Sequence, residues 1–332
     1  MVVGAGIMGA ATAWALGRRA LVLEQFEVGH DRGSSHGAVR IFRLAYAQPE
    51  FVRLGQRALE LWRTLERESG TELLRLSGLL QTGGDLDAHR RALAECGAPF
   101  EEPSAASLGP WRFDPEEDVL VQPDAGVVYA ERAQAVFLRD AAVIERARVE
   151  RIGDDGRLET SAGTIAAQAV VVTAGAWARR LLAPLGIELP VKETRETVAY
   201  FRLDEEVVPS VIDWGMGPHQ VYALGAGDGE LKVGLHMAGP LADPDEEGLP
   251  DEETVRMLAE WVERRCPAAD PDPIRRETCL YTTTPDERFL LERHGRVVVG
   301  SACSGHGFKF APAIGETLAG LAEEAAVRSG RL

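Results

Sequence analysis

A mixed α/β fold, α+β in its sheet content, is predicted by three features of the sequence. The chain opens on an apolar pair that turns through Gly4, Gly6 and Gly9 into an alanine-rich helix. Two continuous apolar runs, AVVVTA at 169–174 and RVVVG at 296–300, read as buried strands of a parallel sheet. Between these runs the texture changes to short strands and turns, which predicts a second domain on a mainly antiparallel sheet.

Taken in order, the opening MVVGAGIMG fits G-x-G-x-x-G, a strand that turns tightly into a helix beneath a dinucleotide pyrophosphate. Gly4 lets the chain turn, Gly6 lets the backbone approach phosphates, and Gly9 lets helix and strand pack closely. The anion then sits at the helix N-terminus. By itself the motif does not separate NAD from FAD, and an ordinary strand-turn-helix has the same pattern. The helix runs to about Leu16, and a second strand, Leu21 to Leu23, ends at Glu24, where such a fold sets an acidic residue against a ribose hydroxyl. Glu24 follows Gly9 by 24 − 9 = 15 residues, shorter than the usual spacing of about 20.

The polar loop RGSSHGAVRIFR at 32–43 presents Ser34, Ser35, His36, Arg40 and Arg43 together, as an anion surface or as a solvated basic loop. Phe51 to about Glu68 is an amphipathic helix with Phe51, Leu54, Ala58, Leu61, Trp62 and Leu65 on its core face. From Gly78 come short strands at 79–82, 119–122 and 127–129, the last two joined by a Pro-Asp-Ala-Gly turn, then a helix expected over 133–144 and a hairpin at Asp154, Asp155 and Gly156. AVVVTA then runs into Gly175. Residues 191–203 and 220–236 read as strands, and Asp251 to Arg265 as a capped, solvated helix with acids in its first turn and Arg264 and Arg265 in its last. Finally SGHGFKFAPAIGE turns from the strand at 296–300 into a C-terminal helix, with Pro312 suited to its first turn. The two glycine-assisted strand-to-helix turns are expected to face one cofactor.

The 332 residues can bury a large core and suggest two domains or one elaborated α/β domain. Residues 1–77, 134–186 and 276–332 form the expected nucleotide-binding domain, and 78–133 with 187–275 the substrate domain. Lys and Arg number 36 against 52 Asp and Glu, a net charge of −16 that repels nucleic acid and anionic membranes. An anionic ligand must therefore be caught by a few placed cations. Cys96, Cys266, Cys279 and Cys303 form no C-x-x-C pair, and the sequence starts on a strand rather than a signal peptide, so a cytoplasmic protein is expected. No apolar run is long enough to span a membrane. Cys303 and His306 lack a second pair of zinc ligands, so no metal is expected.

Five motifs in register, GAGIMG at Gly4, SSHGAVRIFR at Ser34, ELKVGLH at Glu230, CLYTTTPDERF at Cys279 and SGHGFKF at Ser304, resemble the FAD-dependent amine oxidases of the D-amino-acid oxidase superfamily. Within it they are similar to the monomeric sarcosine oxidase and N-methyltryptophan oxidase family, over nearly the whole chain. The resemblance implies a Rossmann-like FAD-binding domain and FAD held covalently through Cys279; taken alone, Cys279 reads equally as a buried inert thiol. It implies that Glu24 contacts the adenosine ribose, Ser34 and Ser35 the pyrophosphate side, and that Gly175, Gly305 and Gly307 allow close approach of the chain to the cofactor. His36 and Arg40 are implied near the flavin ring, where positive charge favours the anionic reduced form.

Arg43 and Lys309 match the family's clamp for the substrate carboxylate, although alone they read as a surface arginine and a helix-end lysine. Lys232 matches the lysine that promotes reaction with oxygen. His236 shares a strand face with Lys232, with Gly234 between them leaving space for a ring; a hydrogen-bonded core histidine is the other reading. Tyr222 and Tyr281 match aromatic residues of the substrate cavity. The implied reaction is oxidation of an N-methyl amino acid such as sarcosine by a monomeric enzyme, with an amino acid and O2 as its small-molecule partners and formaldehyde and H2O2 as products. A dehydrogenase, an oxidase of cyclic or primary amino acids, and an impaired flavoprotein remain alternatives, the last because the first strand, the stretch to Glu24 and the tail after Arg331 are shorter than in the family.

Overall fold

The computed structural model describes residues 1–329 except 206, 218, 302 and 303. A six-stranded sheet carries the glycine turn, in the order Leu290–His294, Val297–Ser301, Val170–Val172, Val2–Val3, Leu21–Leu23, Ala142–Ile144. All neighbours are parallel except the antiparallel edge pair Leu290–His294 and Val297–Ser301. Val2 lies between Val171 and Val22, and all three are buried, as a parallel sheet covered on both faces requires. Helices Ile7–Leu16 and Ala311–Ser329 pack so closely that a Cβ on Gly315 would lie 2.6 Å from the Ala11 backbone.

The second large sheet has seven strands in the order Pro273–Thr283, Lys192–Arg202, Glu230–His236, His219–Gly227, Ser210–Met216, Leu79–Thr82, Val119–Gln122. Its pairs are antiparallel apart from Ser210–Met216 with Leu79–Thr82. Its outer face is covered by helix Glu252–Arg265, whose Leu258, Trp261 and Val262 are buried with Phe201, Leu231 and Val233. Two three-stranded sheets complete the molecule: Val39–Phe42, Gly126–Tyr129 and Leu74–Leu76, and the meander Val149–Ile152, Arg157–Thr160, Gly163–Ala166.

Several expectations change. The helix expected over 133–144 is Ala130–Leu138, and Ala142–Ile144 is the edge strand of the parallel sheet. Pairing of Val143 with Val22 and the bond from the Glu24 N–H to the Ile144 carbonyl, 2.9 Å, override the local pattern. The stretch 220–236 divides at Asp228–Gly229 into two paired strands. The turn at Pro123 to Gly126 joins the two strands as expected and carries the chain from one sheet to another. Helix Glu252–Arg265 keeps its Asp251 cap, which accepts from the Thr254 N–H at 2.8 Å, but its last residue is not solvated. Arg265 is buried against Asp213 at 2.9 Å and Glu117 at 2.6 Å.

Candidate active site

One cavity of about 840 Å³ runs from the glycine turn into the inner face of the large antiparallel sheet. At the glycine turn Gly4 has φ +96°, and a Cβ there would lie 2.7 Å from the Thr173 carbonyl oxygen. A Cβ on Gly9 would fall 1.9 Å from the Gly4 oxygen, so helix and strand touch as the motif requires. Gly9 therefore lies behind the cavity, while Gly4, Gly6, Glu24, Ser34, Ser35 and Gly175 line it. The buried Glu24 carboxylate braces the turn, accepting from the Ala5 N–H at 2.8 Å and the Phe26 N–H at 2.9 Å. Ser35 Oγ accepts from the Ile7 N–H at 2.9 Å, and Ser34 donates to the Leu280 carbonyl. These bonds tie the serine loop to the first helix turn and to the strand that carries Cys279.

Three groups of one charge cluster meet around Gly37. An ideal Cβ there would sit 3.6 Å from Arg40 Nη1, 3.7 Å from Lys232 Nζ and 3.5 Å from Glu277 Oε2. Burial and the Arg40 charge bring Lys232 down to about 7, against the opposing pull of Cys279 and Glu277. Burial raises the Cys279 thiol, although Arg40 and Lys232 act the other way. Arg40, Lys232 and Cys279 all line the cavity, whereas His36 lies outside its lining. Burial, with Arg40 and Lys232, lowers His36 to about 4, which favours an uncharged ring at neutral pH.

Further in, Lys232, Gly234 and His236 alternate along one strand face, and the space at Gly234 is filled by a ring. A Cβ on Gly234 would lie 2.5 Å from the Tyr222 hydroxyl, and Tyr222 and Tyr281 lie near one another. Burial raises both phenols, so they stay protonated. Gly305 has φ +67°, and a Cβ would meet Tyr281 Cε2 at 2.2 Å and His236 Cε1 at 2.6 Å. The chain between Ser304 and Lys309 therefore presses directly on these rings. Tyr222, Tyr281, His236, Gly305 and Gly307 line the cavity together with Arg43 and Lys309.

Lys309 is buried and Arg43 half-buried at the cavity wall. Lys309 is 2% exposed; its ammonium donates to the Tyr46 hydroxyl at 3.0 Å and the His306 carbonyl at 2.7 Å. The Arg43 guanidinium lies 3.9 Å from the Tyr46 ring centroid and donates to the Ala45 carbonyl. Burial and Arg43 hold Lys309 well below the usual lysine range. Burial likewise keeps His306 far below 6.5, helped by Lys309. Tyr46, His306 and Gln134 escaped the reading of the sequence as site residues. Tyr46 stands three positions after Arg43 and His306 three before Lys309, spacings that offered a signal. Gln134, on helix Ala130–Leu138, lines the cavity and donates to the Ala5 carbonyl at 2.7 Å. Among the described residues no His, Cys, Asp and Glu cluster suits a metal; Cys303 lies outside them.

The residues present fit a flavin dinucleotide. The glycine turn exposes backbone to the cavity, Glu24 stands at the end of the second strand, and the chamber continues past Cys279 to the cation pair.

Residues 1–321 match the family model of FAD dependent oxidoreductases, DAO. The chain is 37% identical to the peroxisomal sarcosine oxidase of Homo sapiens, covering 96% of this chain and 90% of that one. It is 32% identical to the monomeric sarcosine oxidase of Bacillus sp. (strain B-0618), covering 97% and 91%. Among solved structures, NikD, an unusual amino acid oxidase essential for nikkomycin biosynthesis, superposes with a TM-score of 0.85 at 28% identity, covering 97% of this chain and 93% of that one.

Proposed function

The chain belongs to the DAO family of FAD-dependent oxidoreductases, and from that premise we propose that it oxidises N-methyl amino acids of the sarcosine type, using oxygen. It is an amine oxidoreductase; the substrate, products and residue roles are our reading. The observation that carries it is the cation pair of the buried Lys309 and the half-buried Arg43. In a chain of net charge −16, neither is within ion-pair distance of a carboxylate among the described residues, and both line the cavity. A carboxylate supplied by substrate completes that pair, with charge-assisted hydrogen bonds worth about 1.5–3 kcal/mol each.

FAD, when bound, supplies the acceptor for hydride from the carbon beside nitrogen and passes the electrons to O2, giving H2O2. The protein's part is orientation and charge. Gly4, Gly6, Glu24, Ser34, Ser35 and Gly175 hold the dinucleotide end; Arg40 and Lys232 place positive charge at the middle of the chamber, with Gly305 and Gly307 giving close approach. Cys279 would be the residue that holds the flavin covalently, its thiol raised by burial and pulled the other way by Arg40 and Lys232. Tyr222, Tyr281 and His236 wall the substrate space, and Lys232 supplies the cation that stabilises negative charge developing on oxygen. Water then hydrolyses the substrate imine, and sarcosine yields formaldehyde and glycine.

The domain division at residues 77/78, 133/134, 186/187 and 275/276 belongs to the same reading. So do a monomeric state, matching the printed name of the Bacillus relative, and a cytoplasmic location. No helix among the described residues is long and apolar enough to cross a membrane.

The test is substrate-dependent oxygen uptake with sarcosine, proline, glycine and dimethylamine side by side. Sarcosine is expected to be oxidised fastest. Dimethylamine, which has the methylamine but no carboxylate, is expected to be turned over at least about tenfold less efficiently, because it cannot engage the cation pair. Equal efficiency for sarcosine and dimethylamine overturns the reading of the pair; preference for proline or glycine moves the substrate class.

A further inference from the structure

The groups behind the cation pair form a chain whose proton directions are fixed by elementary valence. His306 Nε2 lies 2.9 Å from the Glu287 carbonyl oxygen. A carbonyl only accepts, so Nε2 carries the proton and a neutral ring presents Nδ1 as an acceptor. The Tyr46 hydroxyl, 3.2 Å away, must then donate to Nδ1. Its oxygen lone pair is thereby turned to Lys309, whose ammonium donates to it at 3.0 Å. A second ammonium hydrogen goes to the His306 carbonyl at 2.7 Å, which leaves a third, since an ammonium has three donors.

Tyr46 also touches the other cation, its ring lying under the Arg43 guanidinium at 3.9 Å. One side chain thus braces both members of the pair, one through its π face and one through its oxygen. Phe51, Phe289 and Phe310 pack on one side of the assembly, with ring centroids 4.8–6.1 Å from His306. Trp62 fixes the backbone of the turn by donating to the Lys309 carbonyl at 2.8 Å.

We propose that Tyr46 and His306 are positioning residues for this reaction, forming a one-way relay from Glu287 that aims the Lys309 ammonium at the substrate carboxylate. The inference rests on the amino-acid reading of the cavity given above. A neutral His306 is essential to it, because a protonated ring would donate from Nδ1, turn the Tyr46 hydroxyl round and remove the acceptor facing Lys309. The titratable groups facing Lys309 are Arg43 and Tyr46 from the segment after strand Val39–Phe42 and His306 from its own turn. Glu287 and His236 face the far side of His306. Loss of the Tyr46 acceptor favours the neutral amine, so the carboxylate affinity conferred by Lys309 is lost at lower pH.

The test uses purified holoenzyme and methoxyacetate, which resembles sarcosine but has an ether oxygen in place of the amine and is not an amine substrate. Binding is read from the flavin absorbance, with neutral methoxyacetamide as the companion ligand. Tyr46→Phe keeps the ring under Arg43 and removes only the oxygen. It is expected to weaken methoxyacetate at least about tenfold, the equivalent of one charge-assisted bond, leave methoxyacetamide within about twofold, and move the alkaline loss of methoxyacetate binding to lower pH.

His306→Leu is expected to do the same, and His306→Asn, whose amide oxygen accepts from Tyr46, to recover most of the affinity. Methoxyacetate binding by Tyr46→Phe at wild-type strength overturns the relay, as does equal loss of both ligands or an unmoved pH limb. A wild-type holoenzyme that binds neither methoxyacetate nor sarcosine overturns the reading of the cavity itself, and the relay with it.

Discussion

Replacing Lys232 by Met removes the only ammonium on the strand face that also carries Gly234 and His236. The group is buried, so bulk water does not take over its charge. A unit charge about 4 Å from a developing negative charge is worth about 4 kcal/mol at an effective dielectric near 20. Loss of one such electrostatic stabiliser typically costs about 10²–10³ in rate. The reaction of the reduced enzyme with oxygen is therefore expected to slow by about 10²–10³, and anaerobic reduction by sarcosine by less than about tenfold. Stopped-flow mixing of reduced enzyme with oxygenated buffer, and of oxidised enzyme with anaerobic sarcosine, separates the two. Because Lys232 titrates at about 7, the wild-type oxygen reaction is expected to be fastest below pH 7 and to fall above it, with Lys232→Met flat over that range. Equal slowing of both half-reactions, or a wild-type oxygen reaction independent of pH, refutes the assignment.

Cys279→Ala is expected to release the yellow colour into the supernatant on acid precipitation, whereas the wild-type pellet retains it; colour lost from both pellets contradicts the covalent link. His36 has a folded value of about 4 against 6.5 unfolded, so the unfolded state binds more protons between those values. Its contribution to stability is present above pH 6.5 and lost as pH falls toward 4. Between pH 7 and 4.5 this amounts to about 2–3 kcal/mol. His36→Gln removes it, and urea unfolding at the two pH values is expected to show a smaller difference for the variant than for wild type. Gly305→Ala forces a Cβ into Tyr281 and His236 at a left-handed φ, a conformation that alone costs about 1–2 kcal/mol; a lower Tm and a higher KM for sarcosine are expected, and an unchanged KM contradicts the packing of this turn on the substrate wall.

The parallel layer was legible because its strands are nearly all valine and its turn needs glycine at Gly4 and Gly9 for reasons of space. Strand Val39–Phe42 was hidden inside a run of polar residues, since its partners Gly126–Tyr129 lie far along the chain and four residues carry little periodicity. Ala142–Ile144 continued a helical pattern and became a strand through pairing with Leu21–Leu23. Most of the cavity residues named from the sequence lie in five motifs in register, but those motifs rank residues singly. Tyr46 and His306 matter only as a pair bridging the segment after residue 43 to the turn before 309, a relation visible only in three dimensions. The uncharged state of His36 is of the same kind, because burial beside Arg40 and Lys232 decides it rather than residue type.

Sarcosine-dependent oxygen uptake, followed with formaldehyde and H2O2 in the same vessel, tests the central claim most directly. Wild-type enzyme is expected to produce both in a one-to-one ratio with oxygen consumed, and Arg43→Gln with Lys309→Met to lose most of that turnover while retaining flavin colour. Bleaching of the flavin by sarcosine without oxygen uptake would contradict an oxidase, and a holoenzyme that sarcosine leaves fully oxidised in the absence of oxygen would contradict the account of the cavity.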